Sequence, residues 1–240
     1  SGIPEWVSDE VHARVIADPR HVWTAEEAIE VAMREPPAFP PGTQWQYSNT
    51  NYTLIGMALD RVQGKPWRVQ VRERIFDRLG LANTRLPEPG DTNLPADHAH
   101  GYHEVAGMAI DVSGVDPSMA GAAGGNALVT TAADLGRFLR TLLSGGLFSK
   151  PETLAAMTTM MDAPHESGLP HRYGLGLESF TLPGGQTVIG HGGSAAGYAV
   201  MMFQVPANGA TLVTAINTSN LFANALEVFI PALAVVAQEP

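Results

Sequence analysis

Apolar positions recur three and four residues apart through most of the first two thirds of the chain, and the pattern then changes to short apolar runs broken by turn residues. A short helix is expected over Asp9–Ile16. Thr24, followed three residues later by Glu27, has the form of a capping box, and Ala28, Ile29, Val31 and Ala32 give the next helix an apolar face as far as about Arg34. Pro36, Pro37, Pro40 and Pro41 end it. After Asn49, residues Tyr52, Ile55, Met57, Ala58 and Val62 predict a helix closed by Gly64, and another follows over Arg68–Arg78. Residues 87–125 are dense in Pro, Gly, Asp and His and read as one long loop, a feature that is more often functional than idle. Thr130 or Thr131 caps a helix through Leu135, Phe138, Leu139 and Leu142, stopped by Gly145-Gly146, and a further helix covers Pro151–Met161.

The last third reads as strands over Tyr173–Phe180, Gln186–Ile189, Ala196–Val205 and Ala210–Asn217. Pro206-Ala207-Asn208-Gly209 joins the last two as a hairpin, and Leu221–Gln238 closes the chain as a helix. Helices first, then an antiparallel meander under a terminal helix, predict an α/β chain of the α+β type. It has an antiparallel sheet flanked by helices, beside a mostly helical region. The expected organisation is a single domain over 1–240, with helices and loops to residue 165 and strands with the terminal helix from 166.

Composition narrows the picture. At 240 residues with 45% apolar content, the chain is long enough to bury a sizeable core. No run of 18 apolar residues occurs, so no membrane span is expected. Ser1–Trp6 has neither the basic end nor the apolar centre of a signal peptide. The net charge of −10 argues against nucleic acid as a partner. Cysteine is absent, which removes disulfides, thiolate chemistry and cysteine-based zinc sites.

Two short stretches carry candidate chemistry. In Tyr47-Ser48-Asn49 a phenol and an amide stand two residues apart, ahead of a helix. They can share a cleft if Ser48 points away. The phenol serves as a base if neighbouring cations favour the phenolate, or if it relays a proton. The plain alternative is that Trp45, Tyr47 and Tyr52 pack as aromatics while Asn49 caps the helix. In His191-Gly192-Gly193-Ser194, read as the opening of a strand, the glycines let a substrate backbone approach the strand edge. The Ser194 N–H is a candidate oxyanion donor, and His191 gives the cleft a hydrogen-bonding edge. The alternative is a glycine-rich hairpin entry with a surface histidine.

Taken together and in this order, the motifs resemble a known family. Pro41-Gly42-Thr43 leading to Tyr47-Ser48-Asn49 and Asn51-Tyr52, then Tyr173-Gly174-Leu175-Gly176-Leu177, then His191-x-Gly193 with Gly197-Tyr198, resemble the serine β-lactamase-like, penicillin-binding family. The branch implied is that of soluble D-alanyl-D-alanine carboxypeptidases and class C β-lactamase-like esterases. The resemblance implies a β-lactamase/transpeptidase-like fold and a serine hydrolase that opens an amide, β-lactam or ester carbonyl through an acyl-enzyme. It implies Tyr47 handling the proton, Asn49 holding the acyl amide, and His191, Gly192, Gly193 and Ser194 lining the wall. It further implies no cofactor, a small-molecule or peptide substrate, and a secreted or periplasmic setting.

The family's first motif, Ser-x-x-Lys, occurs nowhere in the chain: Lys65 follows Val62 at that spacing and Lys150 follows Leu147. Ser1-Gly2-Ile3-Pro4 resembles a family segment that lies downstream of that motif. The expectation is a domain whose N-terminal part is missing, with an apolar cleft wall covered by a complementary N-terminal segment or by self-association. Glu178, directly after the Gly174–Leu177 turn, departs from a branch that places a basic residue nearby for the substrate carboxylate. Ser1, with its own amine as base, is a lesser candidate nucleophile. Asp97-His98-Ala99-His100-Gly101-Tyr102-His103 invites a metal reading, but a similar family loop binds none, and no metal is expected. Gly121–Gly125 lacks the lysine and context of a phosphate loop. The competing function is a non-catalytic binding module that retains the cleft.

Overall fold

Thr24 does what its spacing predicts. Its hydroxyl accepts the Glu27 N–H at 3.1 Å and starts a helix over Ala25–Ala32. The computed structural model describes residues 1–118, 127–165, 167–218 and 222–237. They form two compact units, one of Ser1–His98 with Ser113–Val129, the other of Ala99–Val112 with Thr130–Pro240.

The first unit holds α1 (Asp9–Ala17), α2 (Ala25–Ala32), α3 (Asn49–Gln63) and α4 (Trp67–Val71), the last running into a π-helical turn over Arg72–Asp77. Its core gathers Trp6, Val11, Trp23, Ala28, Val31 and Ala32, with the two indoles 5.4 Å apart. Above it, the Arg14 guanidinium lies 4.4 Å from the Trp23 ring and pairs with Glu27 at 2.5 Å. Helix α3 ends as expected at Gly64, whose φ of 60° is the left-handed conformation of a glycine stop. Its inward face is not the apolar stripe that predicted the helix. The buried positions are Thr50, Thr53 and Gly56, whereas Ile55, Leu59 and Val62 face solvent. Helical spacing finds an apolar stripe but cannot say which side faces inward. Here the Thr50 hydroxyl, donating to the Pro4 carbonyl at 2.6 Å, satisfies a polar side chain at full burial.

The second unit holds a two-stranded hairpin, β1 (Tyr102–Val105) with β2 (Met108–Asp111), and a six-stranded antiparallel meander whose strands pair in chain order. The strands of the meander are β3 (Met161–Asp162), β4 (His171–Tyr173), β5 (Glu178–Thr181), β6 (Thr187–Ala195), β7 (Tyr198–Gln204) and β8 (Thr211–Ile216). Phe180, Leu182, Val188, Met201, Phe203 and Val205 form its core with Phe229 and Leu233 of the terminal helix α7 (Phe222–Val236). Each such fully buried side chain contributes about 1.5–3 kcal/mol. Helix α5 (Ala132–Leu143) packs on β7 and β8, capped by Thr131, and α6 (Pro151–Met157) follows it.

Several expected boundaries shift. The run expected as one strand over Tyr173–Phe180 is split by a turn at Gly174–Leu177, where Gly176 has φ 72°. Conversely, β6 continues unbroken through the histidine-glycine motif instead of stopping at Ile189. Two neighbouring glycines weaken a strand by propensity, but the β7 ladder from Ile189↔Gln204 to Ala195↔Tyr198 holds it. Helix α6 stops at Met157, short of the expected Met161. The long loop contains the β1–β2 hairpin, turning at Ala106-Gly107 with φ of 50° and 78°. Both central residues at positive φ mark a type I′ turn. Gly121–Gly125 lies outside the described residues. No helix among the described residues is long and apolar enough to cross a membrane.

Candidate active site

In the first unit the Tyr47–Asn49 stretch is anchored to the segment at Pro4 and Glu5. Ser48 is the extended residue ahead of α3, and its side chain turns inward, 5% exposed, donating to the Pro4 carbonyl at 3.3 Å. Tyr47, on the other side of it, is exposed. The alternation required for Tyr47 and Asn49 to point away from Ser48 is therefore present at Tyr47. The expected cap is different. Asn49 is the first helical residue, and the cap acceptor is Glu5. One Glu5 carboxylate oxygen accepts the Asn49 backbone N–H at 2.7 Å and its Nδ2–H at 3.1 Å, while the other accepts the Val7 N–H at 2.8 Å. A carboxylate at a helix N-terminus satisfies an orphan donor and interacts favourably with the helix dipole. It also fixes the Asn49 amide, which keeps one Nδ2–H and its Oδ1 for another partner.

In the second unit β6 presents the other motif. His191 and Gly192 are half-buried, and Gly193 and Ser194 are exposed. The His191 ring is held at both nitrogens. Nδ1 faces the Gly192 carbonyl, and Nε2 is 2.7 Å from the Tyr173 hydroxyl. A carbonyl only accepts, so Nδ1 carries the proton and Nε2 of the neutral ring accepts from Tyr173.

The edge of β6 is shaped by where β5 begins. The β5–β6 ladder runs from Thr181↔Thr187 to Glu178↔Gly190 and goes no further. Among the described residues, β6 pairs beyond Gly190 with β7 alone. In an antiparallel ladder, backbone groups alternate between the two sides, so the N–H groups of Gly192 and Ser194 point the same way. The Gly192 N–H donates to the Glu178 side chain at 2.8 Å, away from β7. By that parity the Ser194 N–H lies on the edge that β5 leaves open. It is suited to a developing oxyanion, with room provided at Gly193, where a Cβ would meet nothing within 4 Å.

Glu178 is 9% exposed and joins a buried chain of polar contacts. Its second oxygen is 3.0 Å from Nε2 of His171, whose Nδ1 donates to the Ala163 carbonyl at 2.8 Å. The remaining sequence candidates each have a partner within their own unit. The Ser1 hydroxyl is 2.7 Å from Asn51 Oδ1, His98 turns to the Pro95 carbonyl at 2.6 Å, and His100 pairs with Asp111 at 2.8 Å. Among the described residues no three His, Cys, Asp or Glu side chains gather as a metal site. Sequence reasoning missed Glu5 and His171, and it took Tyr173 only as part of a turn motif. An acid directly after a glycine turn, Glu178, is the hint that the sequence carries.

Residues 3–232 match the family model described as Beta-lactamase. Among solved structures, the chain is similar to a D-stereospecific amidohydrolase from Streptomyces sp., at 33% identity and a TM-score of 0.82, covering 91% of this chain and 65% of that one. It is also similar to the D-amino acid amidase from Ochrobactrum anthropi SV3, at 27% identity and a TM-score of 0.74, covering 91% and 61%. A D-aminopeptidase of Cereibacter sphaeroides is 26% identical over 204 residues, which are 78% of this chain and 35% of that protein. Penicillin-binding protein 4* of Bacillus subtilis is 23% identical over 206 residues, 82% and 45% respectively. The chain thus spans between about a third and a half of the length of these two relatives.

Proposed function

The chain belongs to the β-lactamase family, and on that premise we propose that it forms part of a serine hydrolase that opens amide bonds of D-amino acid derivatives through an acyl-enzyme. Esters are the second substrate class. The observation that carries this reading is the β6 edge at Gly192–Ser194, left open where β5 stops at Glu178. It supports a substrate chain lying along the strand with its carbonyl oxygen at the Ser194 N–H. The activities for which the amidohydrolase, amidase and aminopeptidase relatives are named favour amides over β-lactams.

In this reading Tyr47 relays the proton between nucleophile and leaving group. Asn49, oriented by Glu5, holds the acyl amide through its remaining Nδ2–H or its Oδ1. His191 contributes the Nδ1–H tautomer that Tyr173 and the Gly192 carbonyl maintain. Gly192 and Gly193 keep the strand open to a close approach. The nucleophile is a serine in a Ser-x-x-Lys segment outside these 240 residues, since no such spacing occurs within them. The whole of residues 1–240 serves this one function.

The test is covalent labelling with a fluorophosphonate or a fluorescent penicillin, read by intact mass, together with hydrolysis of a D-amino acid amide. The chain alone should take no label, and a polypeptide that adds a Ser-x-x-Lys segment should take label and turn over the amide. Label on the chain alone would refute the external nucleophile. Absence of both label and turnover when the segment is present would refute the hydrolase and leave the binding module.

A further inference from the structure

We propose that Glu178 is a positioning residue for the β6 edge, replacing with its side chain the ladder bond that β5 no longer supplies. This inference rests on the reading of Gly192–Ser194 as the substrate-binding edge. In a continuing ladder the Gly192 N–H would donate to a β5 carbonyl two residues before Glu178. The chain turns away there, through Gly174–Leu177, and the position is taken by the Glu178 carboxylate at 2.8 Å. One side-chain oxygen thus satisfies the first orphaned donor of the edge while leaving the next one, at Ser194, to an incoming group. A backbone carbonyl from a longer β5 would instead extend the ladder toward Ser194.

The carboxylate is itself held. His171, with a side chain 1% exposed, faces its other oxygen at 3.0 Å and is fixed by the Ala163 carbonyl behind it. Phe180, with its ring centroid 4.6 Å from that of His171, closes the pair in. Because His171 Nδ1 is committed as a donor, a single proton lies between Nε2 and the Glu178 oxygen. The chain Ala163–His171–Glu178–Gly192 therefore ties β6, one residue beyond His191, to β4 and the segment before it. The acid that departs from the family branch's basic residue acts on the backbone of the motif rather than on a substrate carboxylate.

The test compares Glu178→Ala with Glu178→Gln by residue-resolved amide exchange and by turnover of a D-amino acid amide in the protein that carries the Ser-x-x-Lys segment. Glutamine keeps both contacts, since its carbonyl accepts the Gly192 N–H and its amide donates to His171 Nε2. In Glu178→Ala the Gly192 amide should exchange about 10- to 100-fold faster, the range expected on losing one buried hydrogen bond, with Ile189 and Gly190 unchanged. Turnover should fall about tenfold, mostly in kcat, and Glu178→Gln should restore both within about threefold. Unchanged exchange at Gly192, or an equal rise at Ile189 and Gly190, would overturn the positioning role. Faster Gly192 exchange with undiminished turnover would overturn its link to the site. If the unaltered protein shows no turnover, the hydrolase reading fails while the exchange comparison still decides what Glu178 holds.

Discussion

The Tyr173 hydroxyl lies 2.7 Å from Nε2 of His191, with the two rings meeting edge to face at 84°. Together with the Gly192 carbonyl at Nδ1, this contact selects one tautomer of the motif histidine. Tyr173→Phe removes the only one of the two partners that a side chain supplies. In nitrogen NMR the wild-type ring should appear as the Nδ1–H form alone, whereas the variant should show a greater share of the Nε2–H form. Unaltered tautomer signals would remove Tyr173 from the site.

Two glycines of β6, three residues apart, should respond in opposite ways. A Cβ at Gly190 would sit 1.9 Å from the Met202 carbonyl oxygen and 2.8 Å from Phe203 Cα, both backbone atoms. Gly190→Ala should destabilise the second unit by about 1–3 kcal/mol or more, as overpacking does. At Gly193 the added methyl meets nothing within 4 Å, so Gly193→Ala should leave the melting temperature unchanged. It should lower amide turnover by the protein that carries the Ser-x-x-Lys segment all the same, because the methyl projects from the strand face beside the Ser194 N–H. Thermal melts paired with activity separate the two positions.

Glu5 caps α3 and orients Asn49 through the same oxygen. Glu5→Ala should cost about 1–2 kcal/mol, the usual loss on removing a cap. The accompanying fall in melting temperature is about 2–4 °C per kcal/mol for a chain of this size. Glu5→Gln should recover most of the stability, since one carbonyl oxygen can still accept the Asn49 N–H. Equal melting temperatures for Glu5→Ala and the wild type would show that water replaces the cap.

The Arg14–Glu27–His21 cluster sets an acid limit on the first unit. Burial pushes the Glu27 carboxyl up, but the hydrogen bonds from His21 and Arg14 outweigh it and hold the group below its ordinary 4.5. A carboxyl lowered in the folded state contributes stability above its unfolded value, and that contribution is lost as pH falls through the folded value. Glu27→Gln should therefore be less stable than the wild type at pH 7, and the gap should close from pH 4.5 downward. Denaturant melts across that range measure it. A constant gap would show that charge plays no part.

What the sequence by itself determined were the elements whose causes are local. Thr24 and Thr131 cap helices because a hydroxyl reaches a backbone N–H three residues on, and Gly64 stops one because it takes a positive φ. The motif pairs and their order were equally legible, and they brought the family into view. Tertiary structure alone decided which way α3 faces, because an apolar stripe at helical spacing does not record that Thr50 will find the Pro4 carbonyl. It alone decided that β6 runs through two glycines, since what holds them is the ladder to Met201 and Val200 of β7 and not their own strand propensity. It also joined Glu5 to Asn49 across 44 residues and Tyr173 to His191 across 18. Such contacts depend on where the backbone carries each side chain, which no local spacing encodes.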